Sequence, residues 1–455
     1  MKTLASVFLL LLSLLASPAS AQEAAPTPES DALLTEHREV PDLDSRAPEG
    51  PDAGEVALWI PRVLLSPLTL VLDYGIRRPL GLLVTTAERE NWDGLLLGLF
   101  TWNQQRSAIL PTFFLAYGMQ PTVGLMFFSN DEVAPGHSIG ASLQFGGVEA
   151  LQGSASYAIS SGNGFRVELG GGGGRRPDRV FSGIGWEAQA EQYRFHESWY
   201  RGELTLRSDF WRQSALQIRS GVDGHAYDPN GYAVLSNSPS LAQGIAQGAV
   251  ESPPGLEEGF VAYRQRVEIA LDSREPEPAP GHGVRIEGGG ELVVDLVDPL
   301  GRRWVRYGGG VGAFLDLGDR RVLALWGLAR FADPIGPGEV PFTELAALGE
   351  QALLMQGFLR GQLRGRSAVA STLEYLYPVW TRLDGRLHIS VGNVFDEHLA
   401  GFAPERLRLS FGVGIATAGD PDSAMQLTIA AGTAPFVNGT NIDSVQMVLG
   451  SRQGF

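Results

Sequence analysis

The chain has 455 residues, no cysteine and a formal net charge of −16. Without cysteine, disulfides and every cysteine-based nucleophile or metal site are excluded. The acidic excess argues against nucleic acid as a partner, because such binding needs basic side chains that displace phosphate counterions. We therefore do not interpret the glycine- and arginine-containing stretch at 353–366 as an RNA-binding tail.

The first 21 residues have the three parts of a secretory signal peptide. A positive start at Lys2 precedes an apolar run at 7–15, and the small residues 19–21 follow. The apolar run is too short for a membrane-spanning helix, so we predict a signal peptide over 1–21 and export of the mature chain. Loss of Lys2 changes the net charge from −16 to −17.

Two segments separate this signal peptide from the rest of the chain. Residues 22–56 are rich in Pro, Glu, Asp and Ala, which is typical of a disordered linker. Residues 57–91 are predicted to form short amphipathic helices at the periplasmic side, either packed on the protein or lying at the membrane interface or a pore mouth. Their apolar residues recur at helical spacing: Ile60, Leu64, Leu68 and Leu72. Prolines and charges interrupt this segment, so it is not a transmembrane helix.

Beyond residue 100 the hydrophobic period changes to two almost to the end of the chain, and we predict a barrel over 92–455. In "VAYRQRVEIALD" at 261–272, for example, apolar residues alternate with Arg, Glu and Asp. Such segments run to about ten residues, the length of a tilted strand that crosses a bilayer. The 364 residues of this region allow about sixteen antiparallel strands at roughly twenty-three residues per strand and connection. The sequence thus predicts an all-β membrane protein, a transmembrane β-barrel with a short N-terminal helical segment.

The strand pattern also predicts which connections share one side of the membrane. Long gaps at 225–260 and 333–366 flank four predicted strands: 261–272, 283–295, 303–316 and 319–332. An even number of strands between the gaps places both on one side, which we take as the outside of the cell. Five strands remain after residue 366, so the C-terminus is expected on the periplasmic side. Sixteen or seventeen segments are candidate strands, and the stretch at 178–194 matches the period of two least well.

Several motifs in order resemble one family of outer-membrane barrels. They are Asp272-Ser273-Arg274 with Pro280-Gly281-His282-Gly283, then "PFTELAALG", "MQGF", "LEYLYPVW" and "HISVGNVFD". Over these motifs the chain resembles the bacterial surface antigen family of BamA/TamA-like barrels. The terminal Phe455, preceded by alternating apolar residues in "DSVQMVLGSRQGF", is similar to the C-terminal signal of outer-membrane barrels, although Ser451 and Gln453 occupy usually apolar positions.

The resemblance implies a location, a function and partners. It implies placement in the outer membrane and a role in inserting or translocating outer-membrane proteins or lipids. The implied partners are outer-membrane lipids and, for an assembly role, unfolded outer-membrane protein clients or other assembly factors. The family usually has periplasmic domains that receive the client, but 22–91 shows no such folded pattern. A structural or passive channel barrel without client handling is therefore the alternative.

A loop motif in this family implies a set of site residues. The family's Arg-Gly-Phe loop folds into the lumen, where its arginine pairs with acidic residues on the two strands that follow. Here Gln356 stands in the arginine's position before Gly357 and Phe358. Of the two acidic positions, Glu374 is retained and Ser390 replaces the other.

The loss of that arginine raises the question of which cation Glu374 meets. We expect a neighbouring arginine of the loop, Arg360 or Arg364, to take over the contact, because a guanidinium binds a carboxylate through two hydrogen bonds. An alternative register, Leu359-Arg360-Gly361, retains the arginine but loses the phenylalanine.

No other motif indicates catalysis. The chain shows no local nucleophile motif, and its seven histidines lack metal-ligand spacing. We expect no enzyme activity, no cofactor and no metal, although a Ser/His/Asp site assembled from separate strands stays open. The five glycines at 170–174 are predicted to form a flexible turn at the end of a strand rather than a phosphate-binding loop.

Overall fold

The computed structural model describes residues 98–451, apart from 105, 117, 188–190, 235, 276–280, 319, 350–353, 381–382 and 418–424. The predicted signal peptide (1–21), linker (22–56) and helical segment (57–91) lie outside the described residues, as does Phe455. These assignments stay predictions.

The described chain is almost entirely antiparallel β-structure. Its strands are β1 Thr101–Trp102, β2 Ser107–Phe114, β3 Thr122–Asn130, β4 His137–Phe145, β5 Leu151–Ser160, β6 Phe165–Phe181, β7 Tyr193–Trp211, β8 Ser214–Asp228, β9 Phe260–Asp272, β10 Gly283–Asp295, β11 Arg303–Asp316, β12 Val322–Pro334, β13 Ala346–Leu348, β14 Leu363–Gly365, β15 Ser367–Trp380, β16 Leu383–Phe395, β17 Arg408–Thr417, β18 Met425–Thr433 and β19 Ile442–Ser451. One short helix, α1 Leu241–Ala246, and four 3₁₀ turns, Phe342–Glu344, Glu397–Leu399, Pro404–Arg406 and Phe436–Asn438, lie in the connections. No helix among the described residues is long and apolar enough to cross a membrane.

The wall of the barrel is a 17-stranded sheet in which strands that are consecutive in the chain pair with each other, β15 following β12. Sixteen of these strands are long and the seventeenth, β1, has two residues, so the predicted count of about sixteen is confirmed. The four strands expected between the long gaps are β9 to β12, and the five expected after residue 366 are β15 to β19. Within the described residues no pairing register joins β19 to β1 or β2, so the ladder is open at this edge.

The stretch at 178–194, the least certain in the sequence, belongs to three elements. It contains the end of β6, the connection at 182–192 and the start of β7. A register shift between Arg176 and Arg179 interrupts the β6–β7 pairing, which explains why the period of two is weak there.

Connections of different length lie at the two ends of the strands. The long connections at 229–259 and 335–366 share one end, because four antiparallel strands separate them. The other end carries shorter connections, such as those at 161–164 and 212–213. We call these the loop end and the turn end.

The two faces of the wall differ in polarity, as the alternation predicts. On β9 the outward residues Val267 and Ile269 are 45% and 46% exposed, whereas the inward residues Arg264, Glu268 and Asp272 are buried. Strands therefore present apolar side chains outward and charged ones inward.

A core of large side chains fills the interior at the loop end. Phe181, Phe195 and Leu241 pack with Phe342 of the 335–366 connection. A second cluster joins Trp304 of β11 to other inward residues and to the same connection through Leu345.

The glycines at 170–174 are not a turn, which corrects the sequence-based interpretation. They lie inside β6, paired with β5 and β7. A Cβ at Gly172 would lie 2.6 Å from the carbonyl oxygen of Gly153, and one at Gly174 would lie 2.6 Å from the Cβ of Gln152. Glycine is used here because adjacent backbones approach closely.

Aromatic rings on neighbouring strands cover three other glycines. A Cβ at Gly385 would lie 2.1 Å from Cζ of Tyr377, and Gly312 and Gly224 are covered in the same way by Trp326 and Tyr200. Each ring thus fills the space that a side chain on the adjacent strand would occupy.

We predict that Gly385→Val lowers the free energy of unfolding by about 1–3 kcal/mol, because the new side chain must displace the Tyr377 ring. Gly202→Val is the matched control, since nothing lies within 4 Å of a Cβ at that strand glycine. Urea unfolding of both variants in detergent measures the difference. Equal midpoints for the two variants would contradict this packing.

Candidate functional site

The connection at 335–366, which we call the plug loop, passes through the interior of the barrel. Its central part is a small antiparallel ribbon in which β13 pairs with β14. Side chains on both sides of the ribbon are buried, including Phe342, Met355, Phe358 and Leu363. Because the loop contacts inward side chains of strands that are far apart in the sheet, it spans the lumen between opposite walls.

The first contact with the wall is made by Glu344, in the 3₁₀ turn that precedes the ribbon. Its Oε2 accepts hydrogen bonds from Arg264 Nη1 of β9 at 2.8 Å and from Arg306 Nη1 of β11 at 3.3 Å. Nearby, the hydroxyls of Thr343 and Tyr227 are 2.5 Å apart. The plug loop thus brings an anion to two wall cations.

Burial would raise the pKa of the Glu344 carboxyl, but the charges of Arg264 and Arg306 more than offset that effect. The pKa of Glu344 therefore lies well below its usual range. The carboxylate is ionised at neutral pH and forms a charged pair in the interior.

The wall arginine that binds Glu344 belongs to a chain of charges. Arg264 Nε donates to Asp223 at 2.6 Å, and Asp223 lies 3.0 Å from His225 Nε2. His225 Nδ1 lies 3.0 Å from Glu197, which pairs with Arg179 at 2.5 Å. This chain crosses β9, β8, β7 and β6, so Glu344 is tied to a continuous stretch of the wall.

The second contact is at the tip of the plug loop, where Gly357 and Phe358 meet the last strands. The Gly357 N–H donates to Ser410 Oγ of β17 at 2.8 Å. A Cβ at Gly357 would lie 2.2 Å from the Ala431 carbonyl of β18, so only glycine fits there. The ring of Phe358, fully buried, lies over Gly432 of β18, where an added Cβ would be 2.5 Å from it.

Arg408 extends this contact to the last strand. Its guanidinium lies 5.8 Å from the centre of the Phe358 ring, and Nη1 is 3.2 Å from Asp443 of β19. The tip of the plug loop thus lies against β17 and β18 and is linked through Arg408 to β19, the last strand of the wall.

Gln356, the residue in the position of the family's arginine, is 2% exposed. Its Oε1 accepts no hydrogen bond in the described part of the chain. The neutral amide therefore avoids a buried charge at this position but leaves one acceptor unsatisfied.

Arg386 of β16 forms the ion pair with Glu374, which corrects the expectation of a loop arginine. Its Nε and Nη2 each donate to a different oxygen of Glu374 at 2.8 Å, and both side chains are buried. Arg364 instead donates to the carbonyl oxygens of Gly361 at 3.2 Å and Phe342 at 3.0 Å.

The surroundings of Arg364 and Arg360 differ. Burial lowers the pKa of the Arg364 guanidinium to about 10. Arg360 is exposed. The alternative register would therefore place its arginine at an exposed position.

Ser390 stands beside Thr372, with their hydroxyl oxygens 2.6 Å apart. In the pairing of β16 with β17, Ser390 lies directly opposite Ser410, whose hydroxyl binds the loop tip. The position of the family's second acid is therefore close to the tip, although a hydroxyl occupies it here.

Sequence reasoning missed Arg386, Glu344 and the wall arginines. Glu374 is registered opposite His388, and Arg386 is two residues from His388 on the same face. Arg386 is therefore diagonal to Glu374 across the strand pair, within reach of its long side chain. The spacing of an arginine and a glutamate on two adjacent predicted strands is a signal that could have identified this pair. Glu344 lies inside the quoted "PFTELAALG" motif, but no local pattern pairs it with Arg264, which is 80 residues away.

Through these contacts the plug loop connects β9 and β11 to β17 and β18. In the part of the chain that the structure describes, no group of three His, Asp or Glu side chains is placed to hold a metal ion.

The fold of this chain is similar to those of two solved structures. The chain matches BamA from Haemophilus ducreyi lacking POTRA domains 1–3 with a TM-score of 0.50 and 13% identity, over 75% of this chain and 70% of that one. The chain has a BamA-like barrel fold. It also matches CdiB from Acinetobacter baumannii with a TM-score of 0.43 and 10% identity, over 75% of this chain and 64% of that one. No family model and no curated protein matches the sequence.

We predict that Glu344→Gln lowers the free energy of unfolding by about 3 kcal/mol at neutral pH, because two arginines lose their shared carboxylate. Glu149→Gln is the control: its carboxylate is 44% exposed and lies 3.9 Å from Arg175, and such a pair contributes under about 1 kcal/mol. Urea unfolding at several pH values measures both.

The Glu344 effect should depend on pH in one direction. A depressed folded-state pKa contributes stability that is complete above the unfolded value of about 4.3 and falls as the pH decreases below it. The difference between wild type and Glu344→Gln should therefore shrink below about pH 4. A difference that grows in acid would contradict the ion pairing.

We further predict that Gln356→Arg alone destabilises the barrel, by about 3–5 kcal/mol, because Glu374 is already engaged by Arg386 and the new cation is buried. Ser390→Asp alone should also destabilise it by burying an uncompensated carboxylate. The double variant should be more stable than the sum of the two changes, with a coupling of about 0.5–3 kcal/mol. Additive effects in this cycle would show that position 390 does not face the loop tip.

Proposed function

We propose that this protein is an integral outer-membrane barrel that handles membrane proteins or lipids by exchange at the edge between β19 and the first strands. The observation that carries the proposal is that no pairing register joins β19 to the first strands among the described residues, at an edge flanked by the short strands of the wall. The BamA-like fold supports the proposal at the level of architecture.

Exposed apolar residues on the outward faces support membrane placement. They recur around the wall, as in Leu125, Leu143, Leu169, Leu204, Val267, Ile286, Val311, Leu325, Ile389, Val413 and Ile429. An apolar belt of this kind would aggregate in water and is stable against lipid. Exposed aromatic residues lie near both strand ends, as with Trp211 at the turn end and Tyr263 towards the loop end. Aromatic girdles of this kind flank the apolar band of outer-membrane barrels.

Strand length varies around the wall. Strands β2 to β5 and β17 to β19 have 8–10 residues, whereas β6 to β12 and β15 to β16 have 13–19. At about 3.4 Å per residue and a tilt of about 45°, the short strands cover roughly 20–24 Å of membrane, less than a hydrocarbon core of about 30 Å. The bilayer would thin beside these strands, which lowers the barrier to lateral entry.

The loop end favours lateral exchange over transport through the outer mouth. The plug loop and the aromatic cluster around Phe342 occupy the interior there with buried side chains. A client entering from the turn end would therefore leave through the wall, and the open edge is the place where the fewest hydrogen bonds must break.

A static barrel is the second candidate function. Its support is the pairing of β19 with β18, which runs from Ile442 to Ser451, and the anchoring of β18 by the loop tip. In that case the fold is retained without client handling.

We expect depletion in the native host to lower the folded amounts of other outer-membrane proteins or to disturb lipid asymmetry. The protein itself should fractionate with the outer membrane and migrate faster before boiling, because a folded barrel satisfies its backbone hydrogen bonds in lipid. Recovery as a soluble periplasmic protein would contradict the placement.

Cross-linking the edge separates the two candidate functions. Because the chain has no cysteine, pairs can be introduced freely between 107–114 and 442–447. A cross-linked pair should abolish complementation of the depleted strain until a reductant is added. Cysteines at the registered positions Leu125 and Leu143 are the control. Full complementation by an edge-locked barrel would favour the static barrel.

A further inference from the structure

A polar and aromatic group of side chains, which we call the rim cluster, lies on the outer wall at the loop end. Asp333 of β12 accepts hydrogen bonds from Tyr307 Oη at 2.9 Å, His398 Nε2 at 3.0 Å and Arg366 Nη2 at 2.8 Å. The rings of Tyr307 and Phe331 stack with centres 5.1 Å apart. The residue between Phe331 and Asp333, Ala332, is fully buried in the interior, so Phe331 and Asp333 face outward.

His398 is fixed in position although it is exposed. It and Leu399 have φ values of 50° and 62°, a conformation that costs energy for residues other than glycine. Leu399 N–H donates to Ser367 Oγ at 2.9 Å, which holds the turn. The His398 side chain is 63% exposed, and its Nε2 lies 3.0 Å from Asp333 Oδ2 and 3.1 Å from the Tyr307 hydroxyl. With Nε2 engaged in this way, Nδ1 is the ring nitrogen left for a ligand. Residues held in such conformations cluster at binding sites and other functional sites.

An apolar surface lies beside the rim cluster and extends the lipid-facing belt past the strand ends. Val297 and Leu300, in the β10–β11 connection, are 74% and 79% exposed, and Leu296 and Ile335 are also exposed. Ile335 N–H donates to the carbonyl oxygen of Arg303 at 2.7 Å, which joins this surface to the end of β11 next to the cluster.

The charges of the rim cluster determine which kind of lipid headgroup it can bind. It contains two carboxylates, Asp333 and Glu397, one guanidinium, Arg366, and one imidazole, so it has no excess of positive charge. A bare phosphate is therefore not favoured. A sugar offers hydroxyl groups that donate and accept, and apolar C–H faces that pack on aromatic rings.

We propose that the rim cluster binds the sugar headgroup of a glycolipid in the outer leaflet, with the acyl chains along the adjacent apolar surface. His398 Nδ1 and the Tyr307 hydroxyl bind sugar hydroxyls, and the Tyr307 and Phe331 rings contact the sugar face. The inference rests on the proposed membrane placement, which puts the loop end at the outer leaflet.

The test is lipid retention by the full mature chain reconstituted in phosphatidylethanolamine vesicles. The vesicles contain either monoglucosyl diacylglycerol, a neutral glycolipid, or phosphatidylglycerol, which is anionic and has no sugar. Native mass spectrometry of the extracted barrel should show preferential retention of the glycolipid. His398→Ala should lower that retention roughly tenfold, as expected for about 1.4 kcal/mol of lost binding.

His137→Ala is the matched control, because His137 contacts the Tyr157 hydroxyl on the outward wall at the turn end and should leave retention unchanged. Heat-modifiable migration confirms that each variant is folded. Equal retention of both lipids, or no loss in His398→Ala, would overturn this inference alone. A barrel that does not insert into the vesicles would contradict the proposed membrane function and, with it, this inference.

Discussion

The ion pair that Glu344 forms with Arg264 and Arg306 inside the barrel is the interaction on which the rest of the structure depends. A wall that shows apolar side chains to lipid must turn its charges inward, and each inward charge then needs a partner. Buried charges are costly when unpaired, so the interior is satisfied only when the plug loop brings its carboxylate to the wall. The same loop reaches Ser410 on the opposite side, which connects the charged wall to the strands beside the open edge.

The strands that form the wall of the barrel could be predicted from the sequence, but only some of the contacts in its interior could. Strands such as β9 to β12 are recognisable because each needs one apolar face, and a period of two follows directly from that need. The glycines at 170–174 were misjudged because close approach between strands and turn formation both select glycine. The partner of Glu374 was also misjudged, because the resemblance directed attention to the loop while Arg386 lies across the strand pair. Contacts such as Arg264 with Glu344 depend on how the sheet curves, which no local pattern records.

The two ends and the edge of the barrel have different physical roles. The loop end is filled with buried aromatic side chains, whereas the strands flanking the edge are short. In the part of the chain that the structure describes, no register joins β19 to the first strands. The loop tip lies against β17 and β18, and among the described residues no pairing register joins the far side of β19 to another strand. In the proposed function, the interior brace keeps the wall rigid while the edge between β19 and the first strands accommodates a neighbouring strand or lipid.

The most direct test of this account is labelling of whole cells with a membrane-impermeant maleimide after a single cysteine is introduced. A cysteine at Phe358, which is fully buried against β18, should remain unlabelled, while one at Gly248, an exposed position of the 229–259 connection, should react rapidly. This pair of results places the plug loop inside the barrel and the loop end outside the cell. Labelling of the cysteine at position 358 as fast as that at 248 would contradict the account, because the plug loop would then be an ordinary surface loop.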